Sequence, residues 1–522
     1  MNTCKISGKQ FQITDEDKVF HEKIGLPVPE LSPFERLREM LMWRNEVEFY
    51  RNKCALTGQS LISVFRPEAE VTLYNTKDFW SDRWNALDYG VDFDFNRPFF
   101  DQFAELYARV PQLPLFNDDG INSTNCEYTN DTTHSKNCYF TFNSFYLEDV
   151  LYSYFADHSK SCVDCLVAQE NQLCYECVDT HKSYNCLYVQ KSENCNFCYV
   201  SYDLQSCEYC FGCFGLVNKS YCIYNQQVTK EEFEKFMAEY DLATELQKFA
   251  EFIKDKPKKH LNIKNSENCI GDNIVNSKNS LGFDVNKIQD SRYMYCIYEA
   301  KDCQDIFSSG YCELCYRSLV PDHCYQVHFS INTTDSKFCM YTTLCKSSEN
   351  LFGCCSVKRG KNVILNKAYS AQEYDDLMVK IKGHMIETGE WNQFFPAKYS
   401  PFAYNETCAQ QYLPITKKEA VGKGYKWLDK ELELFDSAAS DLRKCKVSGR
   451  LFRVTPLEEK LYKQWRMELP ELCFQERHKV RFAKRNPWVL HTQNCDKCSK
   501  TVLTSYQDSA VVCEGCYLAG KY

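Results

Sequence analysis

A step of twelve residues runs through the middle of this chain, and cysteine marks most of its beats. From Cys138 the equivalent places are Val150, Cys162, Cys174 and Cys186, followed by Cys195, Cys207 and, after a three-residue insertion, Cys222. Units such as Ser-Lys-Ser-Cys162-Val-Asp-Cys165 and Ser-Glu-Asn-Cys195-Asn-Phe-Cys198-Tyr-Val read as a polar turn, a small buried residue and a β-prone run. A second block passes through Cys269, Ser280, Cys303, Cys312, Cys324 and Cys339. Positions 303, 312, 324 and 339 follow 186, 195, 207 and 222 at a constant offset of 117. Short strands at this spacing, joined by turns too tight for hairpins to dominate, predict a parallel β-solenoid. Two units would make one coil of about 24 residues, with Cys and Asn stacked in inward ladders.

The chain holds 32 Cys in 522 residues, and its start, MNTCKISGKQFQ, has no apolar signal-like core. A cytoplasmic protein with mostly reduced thiols is therefore expected, without a membrane span. Small, buried Cys suits a narrow core. The alternative is a multi-metal-binding or thiol redox protein using Cys162/Cys165, Cys174/Cys177, Cys195/Cys198, Cys207/Cys210 and Cys312/Cys315. Regular strand geometry weighs against that, because residues i and i+3 point to opposite faces and both turn inward only at a corner.

Each block ends in a similar cap. Phe211-Gly212-Cys213 with Thr229 and Glu232 lines up with Phe352-Gly353-Cys354, Ser370 and Glu373 at an offset of 141. Thr229/Glu232 and Ser370/Glu373 are capping boxes, each predicting a helix of about 20 residues or more that seals a solenoid end. A third box, Thr416/Glu419, opens a connector. The offsets 117 and 141 differ by 24, which leaves the register between the blocks open.

Both ends carry one domain type. A shift of 441 places Cys4 on Cys445, Phe11 on Phe452, Pro29-Glu30-Leu31 on Pro470-Glu471-Leu472, Arg36 on Arg477 and Cys54 on Cys495. In the last copy Cys495-Asp-Lys-Cys498 and Cys513-Glu-Gly-Cys516 form two knuckles that predict one structural zinc ion, with no ligand place open to water or substrate. The first copy aligns Cys54, Thr57, Asn75 and Asp78 with those four positions and should hold none there. An upstream site is eroded to Cys4, Ser7, Ser32 and Glu35 in one copy and to Cys445, Ser448, Cys473 and Glu476 in the other. Cys445, Cys473 and Glu476 could still bind a metal weakly.

Taken together, the start Cys4…Gly8…Phe11, Arg44-Asn45-Glu46, Trp80-Ser81-Asp82, Tyr89-Gly90, Asp92–Phe95, Arg97–Phe100, the Asn-Cys units and Pro401–Thr407 resemble a family of large cysteine-rich, zinc-ribbon-flanked repeat proteins of candidate-phyla bacteria with small genomes. The resemblance spans nearly the whole chain and brings no activity with it. It implies Cys at the eroded ribbon positions, from which Ser7, Ser32, Glu35, Thr57, Asn75, Asp78, Ser448 and Glu476 depart.

No metalloprotease, hydrolase, phosphate-loop or dinucleotide motif is present, so a non-enzymatic chain is expected. Carboxylates such as Asp149, Asp164 and Asp179 read as solvated turn residues. Net charge is −9, which demands no polyanion partner, yet Arg477, Lys479, Arg481, Lys484 and Arg485 form a basic stripe beside the knuckle. The leading expectation is a binding or assembly scaffold that contacts protein or itself; nucleic-acid binding through this stripe is the alternative. The chain divides into a degenerate zinc-ribbon-like domain (1–90), linker (91–120), solenoid block 1 (121–228), helical cap or insertion (229–262), solenoid block 2 (263–369), helical cap (370–392), linker (393–440) and zinc-ribbon domain (441–522).

Overall fold

The computed structural model describes residues 1–117, 122–289, 291, 293–301, 303–313, 315–319, 322–429, 434–435 and 441–520, with backbone alone at 294–301, 308–313 and 322–324. The side chains of Cys312 and Cys324, and residues 430–433 and 436–440 of the expected second linker, lie outside the described residues. Two compact units emerge. One comprises Met1–Glu46, Arg51–Pro114 and Leu261–Glu431, so the N-terminal domain packs with solenoid block 2. The other comprises Val47–Tyr50, Leu115–His260 and Leu432–Tyr522, so the C-terminal domain packs with block 1.

Both blocks are parallel β-solenoids, but one coil takes twelve residues, half the expected length. In block 1 Leu166 pairs with Val178, Val178 with Gln190, and Cys198 with Cys210. Cys210 in turn faces Cys222, so there is no three-residue insertion before Cys222. Block 2 starts with elevens, Ile263 on Ile274 and Ile270 on Leu281, and settles to twelves from Gly282 on Met294.

The short coil follows from its backbone. Every third residue from Asn122 to Tyr224 has positive φ, between 46° and 59° at the non-glycine positions. Each is a corner, and twelve residues at three per corner close a four-sided coil. Bridges recur at the same interval: Thr124 with Lys136, Glu127 with Tyr139, Asn130 with Phe142. A left-handed conformation costs roughly 1–2 kcal/mol per non-glycine residue. The main-chain ladder offsets that cost. Lys136 N–H donates forward to Leu147 O at 2.8 Å, and Asn137 N–H donates back to Thr124 O at 3.0 Å. Asn and Asp tolerate this conformation best. Asn125, Asn137 and Asp149 accordingly stack at one corner through side-chain hydrogen bonds of 2.9 and 2.8 Å, in a ladder at the corner and not in the core.

A corner at every third residue overturns the argument from strand alternation. The residues between corners that face inward are i, i+3, i+6, so each Cys-x-x-Cys is two successive core positions. Cys162, Cys165, Cys174, Cys177, Cys186, Cys195, Cys198, Cys207 and Cys210 all belong to one buried cluster. Their thiols serve the main chain: Cys162 Sγ donates to Lys160 O at 3.3 Å and Asn171 O at 3.5 Å. Serines at the same places donate likewise and also accept: Ser135 Oγ donates to Thr133 O at 2.8 Å and accepts from Leu147 N–H at 3.2 Å.

All three capping boxes form, at Thr229, Ser370 and Thr416. The first cap is two helices, Lys230–Glu239 and Leu242–Lys254, because Asp241 restarts the helix by accepting from Thr244 N–H. Phe233 and Phe249 bury against Phe211 and the Tyr209 and Tyr221 rings. In block 2 the helix Ala371–Glu387 buries Ile381 and Met385. The described parts of the two expected linkers, 91–117 and 393–429, are packed structure. Residues 91–117 include the helix Phe99–Arg109, whose Phe99 ring lies 5.1 Å from both Tyr341 and Phe352. Past 393, Phe394, Phe395, Phe402 and Tyr404 are buried. Aromatic residues at helical and turn spacing, not loop chemistry, determine these segments.

The coil interior makes a size prediction. Cys165 sits one coil after Ser153, so Cys165→Ser should lower unfolding free energy by no more than about 1 kcal/mol. Cys165→Leu should overpack the coil and cost about 1–3 kcal/mol or more. Denaturant titration of the two variants compares them.

Candidate functional site

The metal-capable centre is assembled from a hairpin and a short helix. Strands His491–Asn494 and Thr501–Thr504 pair in antiparallel fashion and hold Cys495 and Cys498 in the turn between them. Strand Val511–Val512 then delivers Cys513 as N-cap of the helix Glu514–Leu518, which carries Cys516. The four Sγ atoms lie within 4.8 Å of one another, and Cys498 Sγ is 3.7 Å from Cys513 Sγ. Sulfurs of a tetrahedral four-thiolate zinc site, with Zn–S of ~2.3 Å, stand ~3.8 Å apart, so the donor set fits such an ion. Cys513 N–H donates to Cys495 Sγ at 3.2 Å and brings the Cys495 thiol down to about 6. Cys516, hydrogen-bonded to Cys513 and Cys498, is pushed up to about 12. Four thiolates this close repel one another unless a cation joins them.

The same elements recur in the N-terminal domain, the hairpin 441 residues earlier and the helix 438 earlier, with Cys54 as the one thiol of the four. Asn75 N–H donates to Cys54 Sγ at 3.4 Å, as Cys513 does to Cys495. Asn75 caps its helix by accepting from Asp78 N–H at 2.9 Å, and Asp78 pairs with Arg83. Hydrogen bonds and an ion pair thus occupy the place of a metal.

Among the described residues, the Cys495 cluster is the one group of three or more metal-capable side chains brought together. Cys445, Cys473 and Glu476 do not form another: Cys473 Sγ contacts Ser448 Oγ at 3.6 Å, while Glu476 pairs with Lys479 at 2.8 Å. At Cys4, burial raises the thiol, and hydrogen bonds from Ser32 and Ser7 more than offset it, to about 7. Solenoid thiols behave differently. Burial pushes Cys162, Cys165 and Cys177 well above the usual thiol range, which disfavours the thiolate that redox chemistry or metal binding requires; at Cys186 burial is more than offset by hydrogen bonds from Cys174 and Cys198, which bring it down to about 7.

The basic stripe on the helix Phe474–Phe482 is turned onto the solenoid of its own unit. Arg477 pairs with Asp164, and Arg481 reaches Asp164 at 2.6 Å and Glu176 at 3.0 Å. Lys484 joins Glu176 at 3.1 Å, Arg485 meets Asp179 at 2.9 Å, and Lys479 pairs with Glu476. The side chains of Arg477, Arg481 and Arg485 are 6, 0 and 5 % exposed, so phosphates do not reach them in this arrangement. Asp164 and Asp179 are correspondingly buried docking residues, not solvated turns.

Sequence reasoning missed this interface, although its signal was present: Tyr152, Asp164 and Glu176 are corner residues one coil apart. Glu458 completes it, accepting from Tyr152 OH at 2.8 Å, and Arg477 lies 4.2 Å over the Tyr152 ring. The N-terminal unit repeats the pattern. Arg36 pairs with Asp305 and lies 5.0 Å from the Tyr293 ring, Tyr293 OH donates to Asp17 at 3.3 Å, and His21 packs at 4.7 Å on Tyr316. End-domain residues 36/477 and 17/458 differ by 441, and solenoid residues 152/293 and 164/305 by 141. Hence 141 is the structural register of the blocks, and the 24 residues separating it from 117 are two coils.

No family model, curated protein or solved structure matches the chain. Among the described residues, no helix is long and apolar enough to cross a membrane.

Glu458 makes the C-terminal docking pH-dependent. Burial, opposed by Arg477 and aided by Asp164, raises its carboxyl to about 7. A raised carboxyl pKa means the folded state binds the extra proton, so its stabilising share is full below the unfolded value and disappears as pH climbs through about 7. Buried His478, lowered to about 3, acts in the opposite sense. Comparison with Glu458→Gln isolates the carboxyl. Between about pH 4.5 and about pH 7 the wild-type chain should lose unfolding free energy relative to the variant in denaturant titrations.

Proposed function

We propose that this chain is a non-enzymatic binding and assembly scaffold whose C-terminal zinc ribbon is closed by one structural zinc ion. One observation carries the reading: all four ligand positions of the assembled centre are cysteine, Cys495, Cys498, Cys513 and Cys516, leaving no place for water or substrate. The centre sits in a domain docked on a solenoid through Tyr517 to Asp203 and through Tyr506, whose OH is 2.8 Å from Tyr202 OH. Zinc there stabilises a fold and presents no reactive site. The N-terminal copy is the metal-free counterpart of the same ribbon, and its likeness to cysteine-rich repeat proteins accords with a duplicated, partly eroded module.

Exposed rings on the coils supply a contact surface for protein. Tyr146, 53 % exposed, stacks between His134 and His158 at 4.9 and 4.7 Å. The docked state of Arg477, Arg481 and Arg485 favours a protein partner over nucleic acid. Thiols packed in the coil core suit a reducing compartment.

Elemental analysis of the purified chain should find one zinc. Cys498→Ser or Cys516→Ser should abolish it, and chelation should expose the segment after residue 490 to proteolysis while the solenoid blocks hold. No zinc in the wild-type chain would remove the centre; four or more would overturn the packing role of the solenoid thiols.

A further inference from the structure

The two end domains are copies of one another, and so are the two solenoid blocks. Each domain therefore meets two surfaces that share the Tyr, Asp and corner geometry of its dock. Both docks use the same Arg–Asp pair, Arg477 with Asp164 and Arg36 with Asp305, and that pair cannot tell them apart. One coil further on, the charge is reversed. Block 1 carries Glu176, which takes Arg481 at 3.0 Å and Lys484 at 3.1 Å. Block 2 carries Arg317 at the equivalent corner, 141 residues on, and it pairs with Glu39. The end domains follow suit: Met40 occupies the position of Arg481, and Val480 that of Glu39.

We infer that corner 176/317 is a selection site at which each solenoid block accepts only its own end domain. On the wrong block Arg481 and Lys484 would face Arg317, and Glu39 would face Glu176. The Arg317 and Arg481 side chains are 2 and 0 % exposed and those of Glu39 and Glu176 19 and 11 %, so water screens either mismatch little. Buried like charges disfavour a wrong partner far more than surface ones. The inference concerns which surfaces join, and it stands whether or not zinc is bound.

The test uses the full chain with a photoreactive aromatic residue in place of Trp465, whose ring lies 5.5 Å from that of Tyr175 and which carries none of the charges, refolded from denaturant. With the wild-type code, cross-links should fall on block 1, around residues 164–188. Arg317→Glu makes block 2 resemble block 1 at this corner, and cross-links to residues 305–329 should rise at least about tenfold. Hydrogen exchange supplies the second readout. Arg317→Glu should cut protection of the helix Pro33–Leu41 by about a hundredfold or more, as expected for breaking a buried pair. Adding Glu39→Arg should restore it. The neutral Arg317→Met should lose protection without drawing the C-terminal domain to block 2. Absence of new cross-links in Arg317→Glu, or failure of Glu39→Arg to rescue, would overturn the selection role.

Discussion

A left-handed corner at every third residue is the constraint on which the rest depends. It shortens the coil to twelve residues and turns every third side chain into a narrow space, filled in block 1 mostly by Cys, Ser, Ala and Val with an occasional Leu such as Leu147 or Leu204. It also leaves main-chain carbonyls and amides lining that space, where an unpaired polar group costs about 1–3 kcal/mol. Cysteine and serine answer both demands. They are small, and Cys162 Sγ–H and Ser135 Oγ reach main-chain partners in adjacent coils. The abundance of cysteine is a consequence of coil geometry before it is a matter of metal chemistry.

The same corners build the docking tracks. Corner residues one coil apart lie about 4.8 Å from each other, the spacing of adjacent strands. Residues i and i+4 of a helix rise about 6 Å. A helix laid along a corner column can therefore place Arg477 and Arg481 against Asp164 and Glu176 almost in step. Gly212 and Gly353 stand 141 residues apart in the same columns, and both have positive φ. A Cβ at Gly353 would come within 2.9 Å of the Phe99 ring, so close packing, as well as conformation, favours glycine there.

The end domains show one local fold held in two ways. Around Cys495 four thiols converge with the spacing of a tetrahedral ion; around Cys54 the amide of Asn75, the carboxylate of Asp78 and Arg83 close the same turn by hydrogen bonds and charge. The knuckle forms with one thiol as it does with four, because its hairpin, its helix cap and the donor from position 75 or 513 to the first cysteine are common to both copies. A metal at Cys495, whose place such contacts can fill, would be structural in role. That agrees with the proposed scaffold, in which the buried charges serve internal docking.

Much was legible in the sequence. The parallel solenoid, the capping boxes at Thr229, Ser370 and Thr416, the convergence of Cys495, Cys498, Cys513 and Cys516, and the 441-residue duplication all rest on local spacing, which a linear pattern records. The coil length was misjudged because twelve-residue units are compatible with either one turn or half a turn, and only backbone φ distinguishes them. The basic stripe was legible as charge but not as destination: Arg477 and Arg481 find Asp164 and Glu176 some three hundred residues away, through packing that no local pattern encodes. Tertiary structure alone decided that the first end domain rests on the second block and the last on the first, since duplicated partners offer a sequence two equivalent pairings and the choice is made by buried complementary charge.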